Sequence, residues 1–296
     1  MKKFSFLYLI PVLLMLAVPF RTSADDFVRG DCNEDGNVTI ADVTTLIDYL
    51  LTEQWPEEGE PETVTYVLSG IEIKMVKVEG GTYTMGASGA DIEAQDNEFP
   101  AHIVTLSDYY ICTTEVTQQL WRAVMGSNPS FFTENVLCPV ENVSWNMCQQ
   151  FLTKLNQMTG QNFRLPTEAE WEFAARGGNK SQGYKYAGSN DISEVAWYSG
   201  NASRKTHQVA QKLPNELGLY DMSGNVFEWC NDWYGSYYAT NGQTNPQGPS
   251  TGSQRVFRGG CYEDFYNASS TECRVTNRCN TWPEFTFESL GLRLAL

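Results

Sequence analysis

The stretch Gly218-Leu-Tyr-Asp-Met-Ser-Gly-Asn-Val-Phe-Glu-Trp-Cys-Asn-Asp-Trp233 constrains the fold more than any other segment of the chain. Gly218 and Gly224 allow backbone turns that a Cβ would obstruct. Tyr220, Phe227, Trp229 and Trp233 bring large apolar surfaces with few polar handles. Between them sit Asp221, Asn225, Glu228, Asn231 and Asp232, hard oxygen donors of the kind calcium takes. Carboxylates threaded through aromatic rings demand a cation or a dense hydrogen-bond net, because a buried charge without a partner is costly. The stretch therefore reads as a core turn braced by a metal or by a polar network.

The chain opens on Met1-Lys-Lys, an apolar run from Phe4 to Phe20, and Thr22-Ser-Ala24. Basic start, apolar middle and small residues are the three parts of a secretory signal, with cleavage expected after Ala24. The run is interrupted by Pro11 and is short for a span of roughly 20 residues, which argues against an anchor. An exported protein with no stable membrane span after cleavage is expected: periplasmic, cell-surface or secreted. The formal charge is −16, and losing Lys2, Lys3 and Arg21 leaves 17 basic residues against 36 acidic, or −19. Nucleic acid, whose phosphates require a basic face, is excluded as a partner on this ground. Eight cysteines in an exported chain could oxidise, but their spacing names no connectivity.

Residues 31–42 place oxygen donors at Asp31, Asn33, Asp35, Thr39 and Asp42. Gly36 stands where a calcium loop turns sharply, and Asn37 would give its carbonyl. Val43, Leu46, Ile47, Leu50 and Leu51 follow at helical spacing, so the loop feeds one amphipathic helix. With Asp as last ligand and a helix on the far side only, residues 25–51 resemble a single dockerin repeat. One helix cannot bury its own apolar stripe, so the segment is expected to dock on the main domain or on a protein partner. Residues 52–65 are acidic and Pro-rich, a linker composition.

From Tyr66 the pattern becomes strand-like. Ile71, Ile73 and Met75 alternate with Glu72 and Lys74, and Val76 and Val78 resume one residue out of step. Thr82–Gly86, Ala101–Leu106, Tyr109–Cys112, Arg255–Arg258 and Leu290–Leu296 read as further strands. Thr117–Met125 and Asn146–Met158 carry apolar residues at helical spacing. In Arg164–Arg176, Thr167 opens a helix and Glu170 closes its capping box. Elsewhere the signals are turns, Trp and Tyr.

Gly80-Gly-Thr-Tyr-Thr-Met-Gly86, Thr114-Glu-Val-Thr117, Pro139-Val-Glu-Asn-Val-Ser-Trp145, Arg164–Arg176, Gly218–Trp229, Arg255-Val-Phe-Arg-Gly-Gly260 and Leu290-Gly-Leu-Arg293 occur in this order. In that order they resemble the formylglycine-generating enzyme (sulfatase-modifying factor) family. The resemblance covers nearly all of residues 71–296 and implies one α+β domain, 66–296, with a C-type-lectin-like core and little regular structure. It implies a calcium site with Asp221 and Glu228 as side-chain ligands and Gly224 and Val226 as carbonyl ligands.

The family's oxygenases bind copper(I) through two cysteines five residues apart, shortly after a Gly-Gly-Ser-Tyr turn, and oxidise a substrate cysteine to formylglycine. Here the turn is Gly259-Gly-Cys-Tyr262. Counted from Tyr262, the two positions hold Asp264 and Ser269; counted back from Arg274, they hold Phe265 and Ser270. Copper(I) favours paired soft thiolates, so copper is not expected. Relatives using iron need three histidines, and this chain has two, His102 and His207. Tyr262, Phe265, Tyr266 and Trp282 border the segment of the family's substrate groove, an aromatic surface suited to a peptide, protein or glycan. The expectation is a calcium-stabilised, non-catalytic binding or scaffold domain. The alternative is a formylglycine-generating oxidase with a non-standard site built from Cys261 and Cys273. A third reading makes the domain a structural subunit of an envelope assembly.

Overall fold

The second strand shows how the core is divided. The computed structural model describes residues 61–89, 91–235, 242–263 and 269–296. In it, β1 (Thr63–Leu68) pairs antiparallel with β2 (Ile71–Val78), which pairs with β5 (Tyr109–Cys112). Successive strand residues point to opposite faces. Ile73 and Met75 accordingly enter one apolar cluster, while Val76 and Val78 enter another. The one-residue slip in the hydrophobic pattern is a strand that passes from burying one face to burying the other, with Met75 and Val76 both buried at the switch. A second sheet is formed by β3 (Thr82–Met85), β4 (His102–Thr105) and β7 (Gln243–Thr244).

Among the described residues the three longest helices carry most of the α part. α1 (Gln118–Met125) is capped by Thr117, whose hydroxyl accepts from Leu120 N, and α2 (Trp145–Thr159) is capped by Ser144. Their apolar faces meet in the first cluster, where Trp121 stacks on Phe151 at 4.8 Å between ring centres. α3 (Glu168–Ala175) has the expected capping box between Thr167 and Glu170. Seven of its eight residues are buried, Glu168 and Glu172 among them. A helix buried all round that carries carboxylates needs cations brought to it, and Arg258 and Arg278 supply them.

The third sheet has the order β10 (Leu290–Leu292), β6 (Phe227–Trp233), β8 (Arg255–Arg258), β9 (Cys279–Thr281). β6 is the second half of the Gly218–Trp233 stretch, which the sequence marked only as a core turn. It runs parallel to β10 and antiparallel to β8, with Phe227 and Trp229 in the first cluster and Cys230 in the second. Together these elements make the α+β architecture expected, with regular structure short and loops long.

Two boundaries move. Thr63–Thr65, assigned to the linker by composition, are paired strand residues; acidic flanks obscured a short alternating run. The strand expected over Leu290–Leu296 stops at Leu292, and Ala295 makes only isolated bridges to Ile111 and Arg164. The signal segment 1–24, the calcium loop-helix 25–51 with Asp31, Asn33, Asp35, Asn37, Thr39 and Asp42, and most of the linker lie outside the described residues. Among the described residues no helix is long and apolar enough to cross a membrane.

Candidate functional site

The turn that precedes β6 gathers three buried carboxylates around one guanidinium. Asp221, Gly224 and Asn225 all have left-handed backbone, with φ of 57°, 83° and 60°. Asp and Asn tolerate that region better than most side chains, and Gly224 has a second need for its missing Cβ. An added Cβ would lie 2.4 Å from the Trp197 carbonyl oxygen. The tight turn folds Asp221 back beneath β6, where Glu228 and, from the loop after β5, Glu115 are also buried.

Most of their oxygens are satisfied by the protein. Glu228 accepts from Trp171 Nε1 at 2.7 Å and from Arg293 Nη2 at 2.7 Å, with Arg293 Nε 3.0 Å from both oxygens. Arg293 also donates to the carbonyls of Cys112 and Tyr220, tying the node to β5 and the turn. Glu115 accepts from Val226 N at 3.1 Å and Asn225 Nδ2 at 2.9 Å. Asp221 Oδ2 accepts from Ala210 N at 2.7 Å, whereas Asp221 Oδ1 is buried with no hydrogen-bond partner. Burial pushes Asp221 up to about 6 and, with Asp221 and Glu228 adding, raises Glu115 well above the usual carboxylate range.

This geometry divides the expected calcium set. Asp221 offers an orphaned oxygen, and no turn or loop amide among the described residues donates to the carbonyl of Gly224 or Val226. Those three groups fit a hard cation. Glu228 does not, because Arg293 and Trp171 already hold both its oxygens and a guanidinium would repel the ion. Among the described residues no three Cys, His, Asp or Glu side chains are placed to hold a metal. Arg293 and Glu115 sat inside the recognised motifs Leu290–Arg293 and Thr114–Thr117, but nothing local showed that they meet.

Among the described residues every thiol but the half-buried Cys279 is interior. Cys261 and Cys273 are both fully buried, and Cys273 Sγ would lie 2.5 Å from a Cβ on Gly260, so the two cysteines are neighbours. They are thiols and not a disulfide. Burial pushes Cys261 well up, and Cys279 to about 12. A protonated, buried thiol is a poor nucleophile and metal ligand. His102 and His207 stand apart: His102 Nδ1 lies 3.3 Å from the Pro100 carbonyl, and His207 stacks on Trp197 at 3.8 Å.

The expected aromatic groove is only partly on the surface. Tyr262 is buried, its ring packed edge-on against Phe132 at 5.4 Å, so it supports the surface rather than lining it. Its hydroxyl donates to the Glu288 carbonyl at 3.4 Å, a long-range contact that its sequence neighbours did not signal. Phe265 and Tyr266 lie outside the described residues. Trp282 is exposed and contacts exposed Phe285 at 5.2 Å, and Phe285 in turn meets Phe287. A separate ring series runs from exposed Phe131 through Phe132 to Tyr262. Beneath Phe132, Glu141 is buried with one oxygen accepting from the Phe132 amide and the other unpartnered.

Short strands and helices around an ion-paired node, with the buried Tyr262 of the Gly259–Tyr262 turn packed on Phe132, define a domain of the formylglycine-generating-enzyme type. The Sulfatase-modifying factor enzyme 1-like domain family (FGE-sulfatase) matches residues 71–296, and the chain belongs to it. It is 35% identical over 245 residues to a protein named Chaperone protein LppX from Paenibacillus barcinonensis, covering 66% of this chain and 80% of that one. It is 29% identical over 288 residues to the Formylglycine-generating enzyme of Streptomyces coelicolor, covering 74% and 88%. Among solved structures it resembles Treponema denticola variable protein 1, with TM-score 0.70, 34% identity, and 79% and 99% of the two chains covered. The family thus holds proteins named as enzymes beside others that are not.

Proposed function

We propose that this protein is an exported, non-catalytic member of the family whose aromatic surface binds a polypeptide. The observation that carries the reading is the state of the thiols. The positions where the family's oxygenases hold copper are Asp264 and Ser269, or Phe265 and Ser270. The neighbouring Cys261 and Cys273 are sealed in the core, where neither substrate nor copper(I) reaches them. What remains exposed is Phe131, linked to the turn through Phe132 and Tyr262, and the Trp282–Phe285 pair that follows β9, rings that offer area at low entropic cost. On this reading the buried node serves the scaffold, with calcium, when bound, held by Asp221 Oδ1 and the carbonyls of Gly224 and Val226. The resemblance to a protein named as a chaperone agrees with polypeptide as the ligand class.

The test is to incubate the purified chain with copper(I), oxygen and a Cys-x-Pro-x-Arg peptide and to weigh the peptide by mass spectrometry. An unchanged cysteine is expected; conversion to formylglycine would overturn the reading. Binding is tested separately with fluorescent unfolded polypeptide, which Trp282→Ala with Phe285→Ala should weaken about tenfold, as loss of two exposed anchors implies.

A further inference from the structure

Away from the node and the aromatic surface, a cleft of about 280 Å³ opens among the β3–β4–β7 sheet, the start of α3, the end of β6 and the 246–249 loop. Its lining includes Met85, His102, Asp232, Trp233, Gln243 and Arg278. The charges around it are already matched. Arg278 Nε donates to Glu168 Oε1 at 2.7 Å and Nη2 to Glu168 Oε2 at 2.5 Å, while Nη1 donates to the carbonyls of Asn97 and Gly235. Glu168 Oε1 also lies 3.2 Å from Arg258 Nε. No cationic side chain is left to call for an anion.

Asp232 is different. It is 4% exposed, and its Oδ2 accepts the Glu168 amide at 2.9 Å. Its Oδ1 packs against Gly248, where a Cβ would come within 3.1 Å, and has no hydrogen bond among the described residues. Burial first, then the charges of Glu168 and Glu170, hold Asp232 up to about 8 against the opposing pull of Arg278. At neutral pH it is an acid, with one O–H to donate and an acceptor beside it. His102 and the Gln243 amide add planar polar groups, and Met85, Trp233, Pro246 and Pro249 supply apolar wall.

A wall of apolar faces with a few fixed donors and acceptors and no uncompensated charge suits one ligand chemistry. The ligand is neutral, with an apolar face and a rim of hydroxyls. We propose that this cleft is a saccharide-binding site, distinct from the polypeptide surface, in which Asp232 makes the central hydrogen bonds. A cation is disfavoured by the matched charges, and the described side chains offer no metal cluster here. A purely apolar ligand would leave Asp232 and Gln243 unsatisfied, which is costly.

The experiment titrates the full chain with a panel of neutral mono- and disaccharides (glucose, galactose, N-acetylglucosamine, cellobiose), read by saturation-transfer NMR. At least one sugar should saturate at or below tens of millimolar. Asp232→Leu should weaken it about tenfold, the loss of one good hydrogen bond. Asp232→Asn, which keeps a donor and an acceptor, should bind within about threefold of the parent. Binding by the parent should fall as pH rises through 8 and should not fall in Asp232→Asn. Should Asp232→Leu fail to fold, Gln243→Ala on the short edge strand serves as the second variant, with the same loss expected. The proposal is overturned if no sugar in the panel saturates, if the substitutions leave binding unchanged, or if glucuronate or glucosamine binds more tightly than its neutral counterpart. None of these outcomes bears on the polypeptide surface, so the two readings fail separately.

Discussion

At the scale of single residues, buried charge governs what can be changed. Arg293 neutralises Glu228 and also holds the carbonyls of Cys112 and Tyr220. Arg293→Met leaves a carboxylate sealed in the core with the Trp171 indole as its hydrogen-bond partner but no cation, and a loss of about 3–5 kcal/mol is expected in urea unfolding. Gly224→Ala forces a Cβ to 2.4 Å from the Trp197 carbonyl at φ 83°, and a cost of about 1–3 kcal/mol is expected from the same measurement. Glu141 makes a pH-dependent contribution. Burial pushes its carboxyl up to about 7, while in the unfolded chain it titrates near the ordinary value of about 4.3. Between those values the native state holds a proton that the unfolded state has lost. Stability from this group is therefore full below about pH 4 and is lost as pH rises through 7. Glu141→Gln should flatten the stability curve over that window, by an amount on the order of 3 kcal/mol, and gain relative to the parent above pH 7.

At the scale of elements, α3 is the piece on which the polar core depends. It carries Glu168 toward Arg278 and Arg258, and Glu172 toward Arg258 and Arg176. Its first turn is held by Thr167 and Glu170, with Arg164 pinning Glu170 from outside at 2.6 Å. Thr167→Ala removes the hydroxyl that accepts the Glu170 amide, and a loss of about 1 kcal/mol is expected by thermal denaturation. Thr167→Ser should restore nearly all of it, since the acceptor oxygen returns. The same helix start lies on the saccharide cleft, where its Glu168 amide fixes Asp232. Damage to the cap should thus be felt at the cleft before it is felt at the aromatic surface.

At the scale of the whole molecule, the sheets are short and the loops between them long, so cohesion rests on ion pairs that span the chain. Arg274 binds Glu98 and Asp91 across more than 170 residues of sequence, and Arg293 binds Glu228 across 65. Calcium at Asp221 would add one more tie of this kind and would act by mass action on the folded state alone. Melting temperature should rise with added calcium and fall in EDTA, and Asp221→Ala should abolish the difference. A melting curve that EDTA leaves unchanged would remove calcium from the domain.

The amino-acid sequence by itself determined the elements whose signals are local. Apolar spacing delimited α1 and α2 to within a residue or two, and the Thr167–Glu170 capping box that opens α3 formed as read. The seven ordered motifs were enough to place the family, and the missing cysteine pair was legible without any coordinates. The Gly218–Trp233 stretch was seen to need partners for its carboxylates, but the partners were not legible. Glu228 finds Arg293, Asn225 finds Glu115, and Asp232 meets the Glu168 amide, each from a distant segment. Only the tertiary structure could decide those pairs, because a buried charge is satisfied by whichever group the fold brings within about 3 Å. The same reason hid Tyr262 in the interior and opened the Asp232 cleft: burial belongs to the packed chain and carries no local signature.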